Sequence, residues 1–226
     1  NFRDGLDGNL PLQSSWQATP ILIDDQLVIC TPFNTIISIT AASGEEQWRY
    51  NPDINFDDYA MPRCRGVTQW QRPTESDTTP CSRVVVAPLM DARIIGLDAR
   101  TGARCPFGEE AEINLREGLD PHAPGNYMLN TPPAILGNLL ITGAAIADNI
   151  STDVPSGVVR AYDLTTGQLV WDWEPIPPAA VVNTPVATAG DVATSSDADN
   201  MGNGLVDGST LDSSYTPGTT NVWSDI

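Results

Sequence analysis

The stretch from Gly143 to Pro175 reads GAAIADNISTDVPSGVVRAYDLTTGQLVWDWEP, and its first half carries polar groups that no hairpin needs. Asp148, Asn149, Ser151, Thr152 and Asp153 follow directly on an apolar run. A carboxylate beside an amide carbonyl is a hard oxygen pair of the kind that holds Ca2+ or Mg2+. Asp-Asn in a loop can equally cap a turn. Other reactive chemistry is sparse. The one histidine, His122, lies in the Pro/Gly loop DPHAPGNY, and there is no Cys-x-x-Cys pair. That argues against a Ser-His-Asp enzyme or a structural zinc site built within this chain.

The four cysteines, at 30, 64, 81 and 105, are even in number and lack metal spacing, which favours disulfides and an oxidising compartment. Cys64 and Cys81 flank a polar segment, and a bridge between them would close a short loop; the pairing stays open at this point. The formal net charge of −18 argues against a nucleic-acid partner or an anionic membrane surface, because phosphates would be repelled. No basic, then apolar, leader opens the chain, and no apolar run reaches the roughly 18–20 residues that cross a bilayer. With 19 Pro and 18 Gly in 226 residues, short strands and turns are expected rather than long helices.

The elements that must position these groups recur. Thr19–Tyr50, Arg83–Cys105 and the segment from Thr131 through Pro175 share a plan: strand, turn, strand, Gly turn, strand. The turn glycines are Gly44, Gly102 and Gly167, and Trp48 and Trp171 each follow theirs by four residues. Glycine there supplies the positive φ of a tight hairpin. IISIT, RIIGLD and VVRAYD read as strands buried on both faces. A Trp at a fixed place after the turn can plug the gap to the next unit. One such unit cannot bury its own face, so several stack radially as the blades of a β-propeller. The blades fall near 19–50, 66–105 and 131–175, followed by a loop-rich 176–220.

At CRGVTQW, Cys64 to Trp70, and at DNISTDVPSGVVRAYDLTTGQLVWDWEP, the chain resembles the quinoprotein dehydrogenases that use pyrroloquinoline quinone (PQQ). The match is to the branch of the membrane-bound glucose dehydrogenase, with the quinate and cyclitol dehydrogenases. TPILIDDQLVICTPFNTIISITAASGEEQWRYNP, ARIIGLDARTGARC, INLREGL, TPPAILGNLLITG and TNVWS carry it further. The resemblance implies an all-β, eight-bladed propeller of quinoprotein type, of which this chain covers about three blades plus part of a fourth. It implies PQQ over the central channel beside Ca2+ or Mg2+. It places Arg65, Asp148, Asn149, Ser156 and Gly157 at the cofactor, with Asp148 and Asn149 also towards the metal. In such an enzyme a base takes a hydroxyl proton, hydride passes from the carbinol carbon to the quinone, and electrons go on to a membrane quinone. No catalytic residue is assigned within this chain. The base belongs to a C-terminal part, so a companion chain or segment is expected to complete the propeller. The expected substrate is a sugar, polyol or cyclic alcohol, and the expected location periplasmic or extracellular, with any membrane anchoring through a segment outside this chain.

Two departures from that pattern stand out. Met61 occupies the position where many family members carry a His towards the substrate, and a thioether cannot shuttle protons. Residues 183–218 are rich in Gly, Ser, Thr and Asp and read as an exposed loop; its DADNMGNG resembles a Ca2+ loop, but Met201 stands where an oxygen ligand belongs. The competing functions are a non-enzymatic propeller acting as a scaffold and, on the Asp-rich loop alone, a secreted calcium-binding β domain.

Overall fold

The structure, a computed structural model, describes residues 13–175 apart from 60, 74–75, 120–121 and 150–153. The expected start of a fourth blade, the 183–218 loop, and Ser151, Thr152 and Asp153 lie outside the described residues. A two-residue strand, β1 (Ser15–Trp16), precedes an antiparallel sheet of β2 (Ile21–Ile23), β3 (Gln26–Cys30), β4 (Ile36–Thr40) and β5 (Glu46–Tyr50), in that order. Next, β6 (Arg63–Cys64) pairs in parallel with β1, Ser15 opposite Arg63 and Trp16 opposite Cys64. The second sheet runs β7 (Thr68–Gln71), β8 (Arg83–Pro88), β9 (Arg93–Asp98) and β10 (Arg104–Cys105). Pro106 follows β10 and can donate no ladder bond, so β10 stops after two residues. The free edge of β9 is taken by β11 (Ile113–Asn114), with Ile113 opposite Ile94. A short β12 (Tyr127–Met128) leads to the third sheet. That sheet is β13 (Ala134–Leu136), β14 (Leu139–Thr142), β16 (Val159–Asp163) and β17 (Leu169–Trp173), while β15 (Ala145–Ile146), inserted after β14, pairs back on β12.

The core lies between the sheets. In the second sheet Val84, Val86 and Ile94 join a cluster with Leu140, Tyr162 and Leu164 of the third, whereas Val85, Ala87, Ile95 and Leu97 join one with Val28, Ile36 and Trp48 of the first. Period-two alternation with both faces covered is what a middle blade requires.

The Gly-turn and Trp repeat makes the seam. Gly44, Gly102 and Gly167 have φ of +72°, +70° and +78°. Trp48 is buried, donates its indole N–H to the Ala99 carbonyl at 3.0 Å, and lies so close to Gly102 that a Cβ there would meet Trp48 Cε3 at 2.7 Å. The second seam uses a different plug. Buried Phe107 and the Glu110 side chain close on Gly167, where a Cβ would meet the Phe107 carbonyl and Glu110 Cγ, each at 2.7 Å. Trp171 repeats the position of Trp48 on β17 and is 37% exposed among the described residues.

The bridges are Cys30–Cys64 and Cys81–Cys105, which corrects the short Cys64–Cys81 loop considered from sequence. The reason is packing: Cys30 and Cys64 are both buried in the cluster between the first two sheets, while Cys105 packs in the cluster on the opposite side of the second sheet. Cys81–Cys105 ties the long β7–β8 connection to β10, and closing its span of 24 residues is worth about 3–4 kcal/mol in the chain-entropy picture.

Asp98 organises the same corner. Its carboxylate accepts N–H bonds from Cys81 at 2.6 Å, Arg100 at 3.0 Å and Thr101 at 3.1 Å, and the Thr101 hydroxyl at 3.2 Å. Burial raises the Asp98 carboxyl, but these bonds together outweigh it and hold the pKa below the ordinary carboxylate value. A carboxyl more acidic in the folded state stabilises above the unfolded pKa, about 3.9, and that contribution is lost as pH falls through the folded value. Asp98→Asn is therefore expected to cost about 2 kcal/mol at neutral pH, with the gap to the unsubstituted protein narrowing below about pH 4. Denaturant unfolding of both proteins across pH measures it; a gap that stays constant into acid would refute the assignment.

Candidate functional site

The segments that enter the first strand of each sheet lie side by side. Gln17 to Thr19 precede β2, Arg65 precedes β7, and Asn130 and Thr131 precede β13. They are joined in a row: Thr19 N–H donates to the Arg65 carbonyl at 3.1 Å, and Arg65 N–H donates to the Asn130 carbonyl at 2.8 Å. These segments cannot pair in the sheets that follow them, so they satisfy their backbone groups on one another.

The Arg65 side chain is exposed, and its Nε–H donates to Gln17 Oε1 at 3.1 Å, while the Gln17 amide donates to Ser15 Oγ at 2.9 Å. With Nε so engaged, the two terminal nitrogens are available to a ligand. Arg65 borders an open cavity of about 470 Å3, whose wall includes Asn130, Thr131, Ile141, Thr142 and Gly143. Asn130 and Thr142 are buried, and their side-chain oxygens are engaged locally, Asn130 Oδ1 with the Thr131 hydroxyl and Thr142 Oγ1 with the Gly143 carbonyl. A cationic fork over a wall of small and polar residues, in a volume within the usual ligand range, suits a planar, carboxylate-bearing molecule.

The other expected site residues are not among those that line this cavity, although Ala144 and Ala145 of the same insert are. Asp148 and Asn149 form an exposed turn just beyond β15 and do not line it. Ser156 is exposed, and its hydroxyl donates to the Glu174 carboxylate. Gly157 lies against β15, where a Cβ would stand 3.7 Å from Ile146 Cδ1. The structure thus gathers Arg65 with Asn130 and Thr142, and leaves Asp148, Asn149, Ser156 and Gly157 on and around the insert between β14 and β16. Among the described residues only Cys81, Asp98 and Cys105 bring three potential ligand atoms of the His, Cys, Asp and Glu type within 4.8 Å. There the sulfurs are bonded to each other and the carboxylate caps the turn, so this cluster is structural. Met61 is 42% exposed.

Gln17, Asn130 and Thr142 were not found from sequence. The repeat held a usable signal: Thr19-Pro20 and Thr131-Pro132 open the first and third units alike, with Gln17 and Asn130 just ahead of them, and Thr142 ends β14.

Residues 3–226 match the family described as "PQQ: Glucose/ethanol/alcohol dehydrogenase, beta-propeller domain". The chain is 36% identical over 176 residues to the quinate/shikimate dehydrogenase (quinone) of Acinetobacter baylyi, covering 70% of this chain and 22% of that protein. It is 34% identical over 168 residues to quinoprotein glucose dehydrogenase A of Acinetobacter calcoaceticus, covering 69% and 21%. The chain thus spans about a fifth of the length of these curated relatives. Among solved structures, the quinohemoprotein alcohol dehydrogenase from Comamonas testosteroni superposes with a TM-score of 0.57 at 24% identity, over 72% of this chain and 21% of that one, which supports the propeller fold. With three successive sheets sealed by Gly turns and large side chains, and with a family match over nearly its whole length, this chain belongs to the PQQ-linked glucose/ethanol/alcohol dehydrogenase β-propeller family.

Proposed function

We propose that the protein is part of a PQQ-dependent dehydrogenase that oxidises a sugar, polyol or cyclic alcohol and passes the electrons to a quinone. The observation that carries this reading is the Arg65 cavity, set on the row of hydrogen-bonded strand entrances and lined by Asn130 and Thr142. Arg65 would bind a carboxylate of PQQ through its two terminal nitrogens, while its Nε–H stays bonded to Gln17 Oε1. Ile141, Pro132 and Ala134 add apolar surface to the same wall. Bound PQQ would supply the quinone that accepts hydride from the carbinol carbon.

Asp148 and Asn149 are proposed as oxygen donors to Ca2+ or Mg2+, with further ligands supplied from outside the described residues, because two exposed donors alone fall short of the six to eight oxygens of a calcium site. Ser156 and Gly157 are proposed to border the same ligand. The general base and the rest of the propeller are assigned to sequence beyond this chain, a reading supported by a match that covers only about a fifth of the relatives' length. The two disulfides support an extracytoplasmic, periplasmic location. Relatives named for quinate/shikimate, glucose and glycerol define the substrate panel.

The test is reconstitution of the full-length protein with PQQ and Ca2+ or Mg2+, followed by dye reduction with glucose, quinate and glycerol. Reduction that requires both PQQ and the metal is expected with at least one substrate. Failure to bind PQQ by calorimetry would instead make the propeller a scaffold.

A further inference from the structure

We infer that the Cys30–Cys64 disulfide is a positioning device for Arg65, holding the guanidinium at the cavity by tying its backbone to the first blade. The inference rests on the cofactor reading of Arg65. Cys64 is the residue directly before Arg65, and its partner Cys30 ends β3, an interior strand of the first sheet. Both half-cystines are buried, at 0% and 1% exposure. Arg65 itself lies outside every strand, in a connection that runs from β5 to β7.

The other attachments of Arg65 are weaker in kind. Its backbone bonds go to Thr19 and Asn130, and its side-chain bond to Gln17, all residues outside the strands. The strand before it, β6, has two residues and pairs only with the two-residue β1. A two-residue ladder at a sheet-free edge opens readily. The disulfide is a covalent tie from the residue directly before Arg65 into the four-stranded first sheet, while β7, three residues further on, anchors the other side in the second sheet. Arg65 is thereby suspended between two blades, and the bridge fixes the end that hydrogen bonds alone would leave loose. The second disulfide, Cys81–Cys105, lies within the second sheet and its connection, and serves as an internal control of similar loop size.

The experiment uses the full-length apoprotein and titrates PQQ by calorimetry. Cys30→Val/Cys64→Ala, which keeps both sites apolar, is compared with Cys81→Ala/Cys105→Val and with each pair combined with Arg65→Ala. The expected result is a PQQ affinity about tenfold weaker for the Cys30/Cys64 pair and within about twofold of the parent for the Cys81/Cys105 pair. On the Arg65→Ala background the Cys30/Cys64 pair should cost no further affinity. Hydrogen exchange should show faster exchange of the Arg65 amide with the strands of both blades still protected. Equal losses from the two pairs, or a Cys30/Cys64 loss that persists without Arg65, would overturn the positioning role. So would a Cys30/Cys64 pair that does not fold, because the bridge would then be a requirement of the fold and not of Arg65. An Arg65→Ala protein that binds PQQ like the parent would instead overturn the cofactor reading on which the inference stands.

Discussion

Replacing Arg65 with alanine is expected to weaken PQQ binding by about one hundredfold while leaving the folding stability of the protein within about 0.5 kcal/mol of the parent. The two halves of that expectation have separate causes. Arg65 is exposed, and its side chain accounts for one hydrogen bond within the protein, the 3.1 Å bond to Gln17, so its removal opens no cavity and strands no buried charge. A bidentate pair between guanidinium and carboxylate is a charge-assisted interaction, and its loss against a partly desolvated ligand is worth about 2.7 kcal/mol, which is the hundredfold. Arg65→Lys separates charge from geometry. It keeps the positive charge but loses the planar fork and the Nε–H that Gln17 accepts, and is expected to bind about tenfold more weakly than the parent. Calorimetric titration of the apoproteins with PQQ, alongside denaturant unfolding, reads both quantities. A variant that loses stability as well as affinity would place Arg65 in the scaffold.

The blade plan was open to reading because it is local and repeated. TTG, RTG and ASG announce turns by glycine alone, and the parity of RVVVAP and RIIGLD shows that both faces must be covered. What could not be read is set by non-local geometry. The pairing of Cys30 with Cys64 depends on how the β5–β7 connection folds back on β3, and four cysteines allow three pairings on sequence grounds. The plug of the second seam was hidden for a different reason. Trp48 has a counterpart in Trp171, but the second unit has Pro106 and Phe107 after its turn, so the same gap is closed from a strand that proline cuts short. Arg65 could be singled out by the resemblance carried by Cys64-Arg65-Gly66-Val67, whereas its neighbours Asn130 and Thr142 are common residue types whose role depends on the row of strand entrances. Asp148 and Asn149 were conspicuous in sequence for standing in an insert, and the insert does bend back to pair β15 with β12, beside the connection that carries Asn130.

Gly102→Ala is expected to destabilise the protein by about 3–4 kcal/mol, and Gly44→Ala, at a turn of the same backbone conformation, by only about 1 kcal/mol. The φ values are +70° and +72°, so the cost of placing an L residue in the left-handed region is common to both. Their surroundings differ. A Cβ at Gly44 would meet nothing within 4 Å, whereas at Gly102 it would stand 2.7 and 2.8 Å from Trp48 Cε3 and Cδ2. The indole cannot slide away freely, because it is buried between the first two sheets and tethered by its N–H to the Ala99 carbonyl at 3.0 Å. Overpacking, and then breaking that bond, adds about 2–3 kcal/mol to the shared backbone strain. The coupling can be isolated. On a Trp48→Ala background, itself expected to cost about 3–5 kcal/mol, Gly102→Ala should fall to the Gly44 value of about 1 kcal/mol, because the methyl group then enters vacated space. Urea unfolding of the four proteins in the cycle measures the difference. If Gly102→Ala cost the same with and without Trp48, the turn glycines would serve backbone conformation alone, and the seam between blades would have to be held elsewhere.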